Sequence, residues 1–187
     1  MTILKRRIGA IKLIYAKEVN NYLSAIKHGD NSKFKPLYDM IASRILGVAR
    51  YYLVDRSYCE DVTSEVFQKI YLYINSYDES KDGYSWICRI TRNVAFNYNS
   101  KISQNPENKE PDSALQEITL MEDAERRVDI FRIIDKLDPE SREIVYLYYY
   151  LHNTYQEIGD KLHISKVAVK KKIDKILSKL KIYIGDY

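Results

Sequence analysis

Helix breakers are nearly absent from this chain. Its 187 residues include only 6 Gly and 4 Pro, and apolar residues recur at three- and four-residue steps through most of the rest. Such a chain has few places to turn. It shows neither alternating strand patterns nor tandem repeats, so its fold class is all-α. From Phe34 to Tyr52, Leu37, Ile41, Ile45, Leu46, Val48 and Ala49 trace one apolar stripe. From Asp61 to Ile74 the stripe is Val62, Val66, Phe67, Ile70 and Ile74, and after the polar loop "NSYDESKDGYS" it resumes with Trp86, Ile87, Ile90, Val94 and Ala95. A shorter helix is expected over Glu18 to Lys27, ended by "HGDNS".

The character changes between Ser100 and Asp123. "SKISQNPENKEPDSALQEITLMED" carries Pro106 and Pro111, many amides and acids, and few apolar residues. This composition predicts a linker over 100–123, joining two small helical domains at 18–99 and 124–187, with an N-terminal extension at 1–17. The second domain opens on a face made by Val128, Phe131, Ile134 and Leu137. Asp138 then caps a new helix with Pro139 at its first position, where a missing N–H costs nothing.

Composition excludes several classes of function. Cys59 and Cys88 are the only cysteines and lack CxxC spacing, which argues for small buried residues and against a disulfide framework or a zinc ribbon. His28, His152 and His163 make no metal-ligand spacing, so no metal or cofactor is expected. There is no nucleophile elbow and no phosphate-cradling glycine loop, and hence no sign of an enzyme. No run of 18 apolar residues predicts a membrane span, and "MTILKRRIGAIKLIYAK" lacks the features of a secretion signal. The expectation is a cytoplasmic protein. The formal charge of +4 is small, so the distribution of charge has to speak for any polyanionic partner.

That distribution is lopsided near the C-terminus. In "TYQEIGDKLHISKVAVKKKIDKILSKLK", Thr154 and Glu157 form a capping box that starts a helix running to about Leu162. "HI" is a turn, Ser165 caps a second helix, and Ile164 can staple onto Val169. Two short helices around a tight turn make a helix-turn-helix. On the second helix Val169, Ile173, Ile176, Leu177 and Leu180 share one sector, Lys171, Lys175 and Ser178 lie opposite, and Lys170, Lys172, Lys179 and Lys181 flank them. Like charges on one helix face repel each other, and phosphates relieve that repulsion. A solvated lysine face is the plainer reading of the helix by itself. The capping box, staple and short turn favour DNA.

These residues resemble a known family. "YQEIGDKLHISKVAVKKKIDKILSKLK" is similar to region four of bacterial sigma factors, and "KLDPESREIVYLYYY" looks like the helices that precede it. "GDNSKFKPLYDMIASRIL", "YCEDVTSEVFQKIYLYINSYD" and "YSWICRITRNVAFNY" resemble region two, in order and at the right separations. Two regions with a short linker resemble the extracytoplasmic-function group. The chain departs from the usual pattern at Ser64, where glutamine is common, at Val167 and Ala168, and after Asn97, where "YNSKISQ" is poor in arginine.

The resemblance implies a transcription initiation factor that binds core RNA polymerase and promoter DNA, without chemistry of its own. The recognition helix then enters the major groove of the minus-thirty-five element. Ser165 stands at its start, Lys170, Lys171 and Lys175 face the groove, Lys166 and Lys172 lie on phosphates, and Asp174 accepts from a cytosine amine if it faces the groove. Region two receives the melted minus-ten strand, with Tyr77 either a stacking surface or a packed core residue, Asn93 and Asn97 on a base edge, and Arg89 and Arg92 on the backbone. Asp61, Glu65 and Gln68 share a helix face that docks on the clamp of polymerase's large subunit. An anti-sigma factor is a further partner open to such a protein. Two alternatives stand beside this reading: a helix-turn-helix regulator that works without polymerase, and a degenerate sigma-like protein that binds polymerase without opening promoters.

Overall fold

The computed structural model describes the backbone of residues 2–104 and 131–184, and side chains over 15–104 and 131–178. The described residues are helical or lie in turns, so the chain is all-α. It divides into two compact units, Met1–Glu110 and Pro111–Tyr187.

The first unit is a bundle of four helices: α1 (Thr2–Lys27), α2 (Phe34–Tyr52), α3 (Cys59–Tyr73) and α4 (Gly83–Gln104). Helices α2, α3 and α4 pack on one another, and α1 lies against α2 and α4. Leu23, Leu37, Ile41, Ile45, Val62, Val66, Ile70 and Ile87 are all buried at the centre. The predicted stripes of α2, α3 and α4 are this core, with Leu46 and Ile90 half-buried at its margin. Each turn between helices uses the same device. Asp30, Asp55 and Asp78 each accept, at one carboxylate oxygen, both the backbone N–H and the hydroxyl of the serine two residues on: Ser32, Ser57 and Ser80. The short acid closes the turn locally, so three Asp-x-Ser sequences set three helix reversals.

Two boundaries differ from expectation. α1 starts at Thr2, so residues 2–17 of the expected extension at 1–17 continue the helix that was predicted from Glu18. α4 runs to Gln104, four residues past Ser100, because no glycine or proline interrupts "SKISQ". The rest of the expected linker, and Val128, lie outside the described residues.

The second unit begins, in its described part, with helical residues 131–135. Asp138 accepts from the Ser141 N–H at 2.9 Å and opens α5 (Pro139–Val145), with Pro139 in its first turn. One wider π-helical turn, Tyr146–Tyr150, follows. It brings Tyr150 against Phe131, with ring centroids 6.2 Å apart, and Tyr148 against Tyr155 at 5.3 Å. Then come α6 (Tyr155–Leu162) and α7 (Lys166–Ile184). Ile134, Leu137, Ile144, Leu147, Ile158, Val169, Ile173 and Ile176 are buried.

Both cysteines are free thiols, Cys59 buried and Cys88 half-buried. Burial pushes the Cys59 thiol up to about 11 and Cys88 up to about 12. Only the thiolate is a good nucleophile. Native protein at pH 8 is therefore expected to react with a disulfide reagent at least about a hundredfold more slowly than protein in denaturant. Equal rates in the two conditions would contradict this placement.

Candidate nucleic-acid interfaces

The helix-turn-helix is built as its capping residues direct. The Glu157 N–H donates to Thr154 Oγ1 at 3.2 Å and the Thr154 N–H donates to Glu157 Oε2 at 2.7 Å, closing the capping box. The hydrogen bond from the Thr154 backbone, foremost, holds the Glu157 carboxyl below its usual range. At the turn His163 adopts φ 54°, and the Ile164 N–H returns to the Gly159 carbonyl at 3.0 Å. Glycine at 159 is required by close approach: a Cβ there would lie 2.6 Å from the Ile164 carbonyl oxygen. The Ala168 N–H donates to Ser165 Oγ at 3.1 Å, so Ser165 caps α7.

α7 turns Val169, Ile173 and Ile176 inward and leaves Lys166, Lys170, Lys171 and Lys175 exposed. Two expectations on this helix need correction. Lys172 is half-buried and its Nζ donates to Glu140 Oε2 at 2.6 Å, so an ion pair on α5 already engages it. Asp174 is also half-buried, with one carboxylate oxygen out of solvent. Burial pushes the Tyr149 hydroxyl up, and the charges of Tyr155 and Asp174 push it further. Asp174 thus sits near the tyrosine cluster, with one oxygen withdrawn from solvent. Val167, a departure from the family pattern in sequence, is 62% exposed and shares a face with Lys170 and Lys171.

In the first unit, Arg89, Arg92, Asn93 and Asn97 are all exposed along one face of α4. Thr91, Val94 and Ala95 point into the core. Within the polar stripe stands Phe96, 49% exposed, its ring set edge-on to Tyr52 at 5.6 Å. An aromatic residue at the i+3 position from Asn93, in an otherwise polar face, was the legible signal. Asn99, one turn from α4's end, accepts from the Val54 N–H and donates to the Tyr52 carbonyl, each at 2.9 Å, and so pins the α2–α3 turn to this helix.

Tyr77 is the third correction. It is 1% exposed, lies on Trp86 at 5.4 Å between ring centroids, and donates its hydroxyl to the Lys81 carbonyl. A ring held inside the bundle offers no face to a base. The loop around it is exposed and acidic. Hydrogen bonds from the Ser80 hydroxyl, foremost, hold Asp78 down to about 2.

On α3, Asp61 and Gln68 are exposed and Glu65 is half-buried. The three meet in an open depression of about 400 Å³, also lined by Ser64, Lys69, Leu72 and Tyr98. Glu65 pairs with Lys69 at 3.3 Å. Leu72 is 69% exposed at the far end, flanked by the exposed Tyr71 and Tyr73. The face is therefore acidic at the start of α3 and apolar at its end.

Residues 37–103 match the family model of sigma-70 region 2, and residues 133–181 match that of sigma-70 region 4. The two matches together cover more than half of the chain. The protein belongs to the sigma-70 family of RNA polymerase sigma factors. This sigma factor is similar to the ECF RNA polymerase sigma factor SigK of Mycolicibacterium vanbaalenii, 24% identical over 167 residues that span 83% of this chain and 84% of that one. SigK of Mycobacterium ulcerans is 22% identical over 165 residues, 83% of this chain and 88% of its own. A solved structure of CnrH in complex with the cytosolic domain of CnrY aligns over 89% of the sigma factor and 97% of that chain, with a TM-score of 0.48 and 18% identity. Membership gives the sigma factor a role in promoter recognition and in binding RNA polymerase, without enzymatic activity. Among the described residues, no helix is long and apolar enough to cross a membrane.

Proposed function

We propose that the sigma factor reads a promoter at two separated elements through the two units, while α3 holds the core enzyme. The exposed stripe of α4 carries this reading. It puts an open aromatic ring, Phe96, beside two amides, Asn93 and Asn97, and two guanidinium groups, Arg89 and Arg92. A base pulled from the duplex needs those three things: a surface to stack on, donors and acceptors for its edge, and cations for its backbone. Phe96 takes the stacking role expected of Tyr77.

α7 supplies the duplex contact. Lys166, Lys170, Lys171 and Lys175 grip phosphates and groove, and Val167 offers an apolar surface to a thymine methyl. Lysine is a flexible point charge, so the grip exceeds the base discrimination. The α3 face, acidic then apolar, meets the polymerase clamp through Asp61, Glu65 and Gln68, with Leu72 as apolar anchor. Two weak readings on one chain reinforce each other, since the first contact raises the effective concentration of the second.

The test is run-off transcription with purified core polymerase over fragments of the source genome. Discrete start sites that depend on this protein are expected. Asn93→Ala and Phe96→Ala should each slow promoter opening by about tenfold, because one base-edge or stacking contact is worth ~1–3 kcal/mol. Closed-complex formation should be unchanged. Failure to bind core polymerase, with duplex binding intact, would favour a regulator that acts on DNA alone. Binding to core polymerase without opening any promoter would favour the degenerate, sigma-like alternative.

A further inference from the structure

The 75–82 loop between α3 and α4 is held from outside by α1. Asn20, Ser24, Lys27 and His28 recur at four, three and one residues, which places them on one side of the last turns of α1. Each reaches the loop or the residue that ends it. The Gly83 N–H donates to Asn20 Oδ1 at 2.7 Å. Ser24 Oγ donates to Glu79 Oε2 at 2.5 Å. Lys27 Nζ donates to the Tyr77 carbonyl at 2.7 Å and lies 3.6 Å from Glu79 Oε1, and His28 Nε2 lies 3.2 Å from the same oxygen. The approach is so close that a Cβ on Gly83 would meet Leu23 Cδ1 at 2.5 Å and Asn20 Oδ1 at 2.8 Å.

The chemistry of the loop shows what this grip does. Asp78, Glu79 and Asp82 put three carboxylates in the loop that leads into α4, the helix proposed above to take the melted strand. Asp78 is engaged by Ser80 and by Lys81 at 3.2 Å, and Asp82 accepts the Ser85 N–H at the start of α4. Both of those arrangements are internal to the loop and its helix. Glu79 instead reaches out of the loop, to Ser24 and Lys27 on α1 and to His28 just past its end. Ordering the loop before DNA arrives removes a cost that strand capture would otherwise bear. Neutralising Glu79 removes a repulsion that capture would otherwise meet.

We propose that the end of α1 is a positioning element for the melted strand, in which Ser24 and Lys27 clamp the 75–82 loop against α1 and mask Glu79, so that the loop and the α4 stripe form one receptive edge. This rests on the reading that the α4 face receives that strand. Ser24 and Lys27 are positioning residues, since they act through Glu79 and the Tyr77 carbonyl.

The experiment uses full-length protein bound to core polymerase, with two templates: the promoter duplex, and the same promoter left unpaired across the minus-ten element. Ser24→Ala with Lys27→Met should lower the rate of open-complex formation by about five- to tenfold. The loss should persist as weaker binding to the unpaired template, because capture fails rather than strand separation. Core-enzyme affinity and the thermal unfolding transition should stay as in the parent chain, and Ser24→Thr with Lys27→Arg, which keeps the hydroxyl and the charge, should restore both templates. Normal opening by the double variant, with Asn93→Ala still defective, overturns the clamp and leaves the α4 reading standing. Normal opening by both sets of variants overturns the α4 reading and the clamp with it. A loss that tracks a lowered unfolding temperature reduces these contacts to ordinary packing and also overturns the proposal.

Discussion

Gly159→Val is expected to weaken the duplex grip of the C-terminal unit sharply while leaving the N-terminal unit folded. The turn between α6 and α7 passes over Gly159 so closely that the first side-chain carbon would stand 2.6 Å from the Ile164 carbonyl oxygen and 3.5 Å from the Lys166 nitrogen. Those neighbours are backbone, and the Ile164 N–H is itself bonded to Gly159. They cannot rotate away as a side chain would. A β-branched residue forces the turn open, at a cost of ~1–3 kcal/mol for overpacking, and swings α7 off the angle at which its lysines meet a groove. Duplex affinity should fall by about five- to 150-fold. Gly159→Ala makes a graded control. It recovers ~1 kcal/mol of helix propensity but still places a methyl against Ile164, so its net effect should be small beside that of valine. Duplex titration and circular dichroism melting of the full chain check both. Unaltered affinity in the valine variant would mean that α7 does not read DNA from this geometry.

The same turn shows why so much of the fold was legible. Thr154, Glu157 and Ser165 act within three residues of themselves, so their pattern specifies their structure. So do Asp138 and the buried stripes of α2 and α3, whose period alone selects the inward face. The errors arose where a partner distant in sequence decides. Lys172 looked like its neighbours until Glu140, 32 residues earlier, took its charge. Asp174 lies on the same helix as the exposed lysines, yet the π-helical turn of Tyr146–Tyr150 brings tyrosines to it. Tyr77 sits in a polar loop, where an aromatic ring reads as exposed. Its place inside depends on Trp86 and on α1 holding the loop closed. Phe96 is the converse case. An aromatic residue out of register on a polar face is a signal in the sequence, and the finished surface shows it open beside Asn93 and Asn97. Periodicity reports which side of a helix is buried. It does not report what a later element lays across the other side.

The second large effect separates lysines that sequence alone cannot tell apart. Lys170→Ala with Lys171→Ala removes two exposed charges from the outer face of α7. If both neutralise phosphates, the slope of log affinity against log salt should fall by about 1.8, since each contact contributes about 0.9. Extrapolated from a 1 M reference, the same relation gives a loss of about sixtyfold in duplex affinity at 0.1 M salt, shrinking as salt rises. Lys172→Ala changes the same formal charge but should act differently. Its Nζ is bound to Glu140 at 2.6 Å with both side chains partly exposed, 39% and 48%. Removing it loosens α7 from α5 by well under ~1 kcal/mol, releases the Glu140 charge, and barely moves the salt slope. Two lysines adjacent in sequence would then differ in a solution measurement because one points at solvent and the other at a carboxylate. Equal slope changes for Lys171→Ala and Lys172→Ala would show that the Glu140 pair opens on DNA and that α7 presents its lysines as an undifferentiated cationic rod.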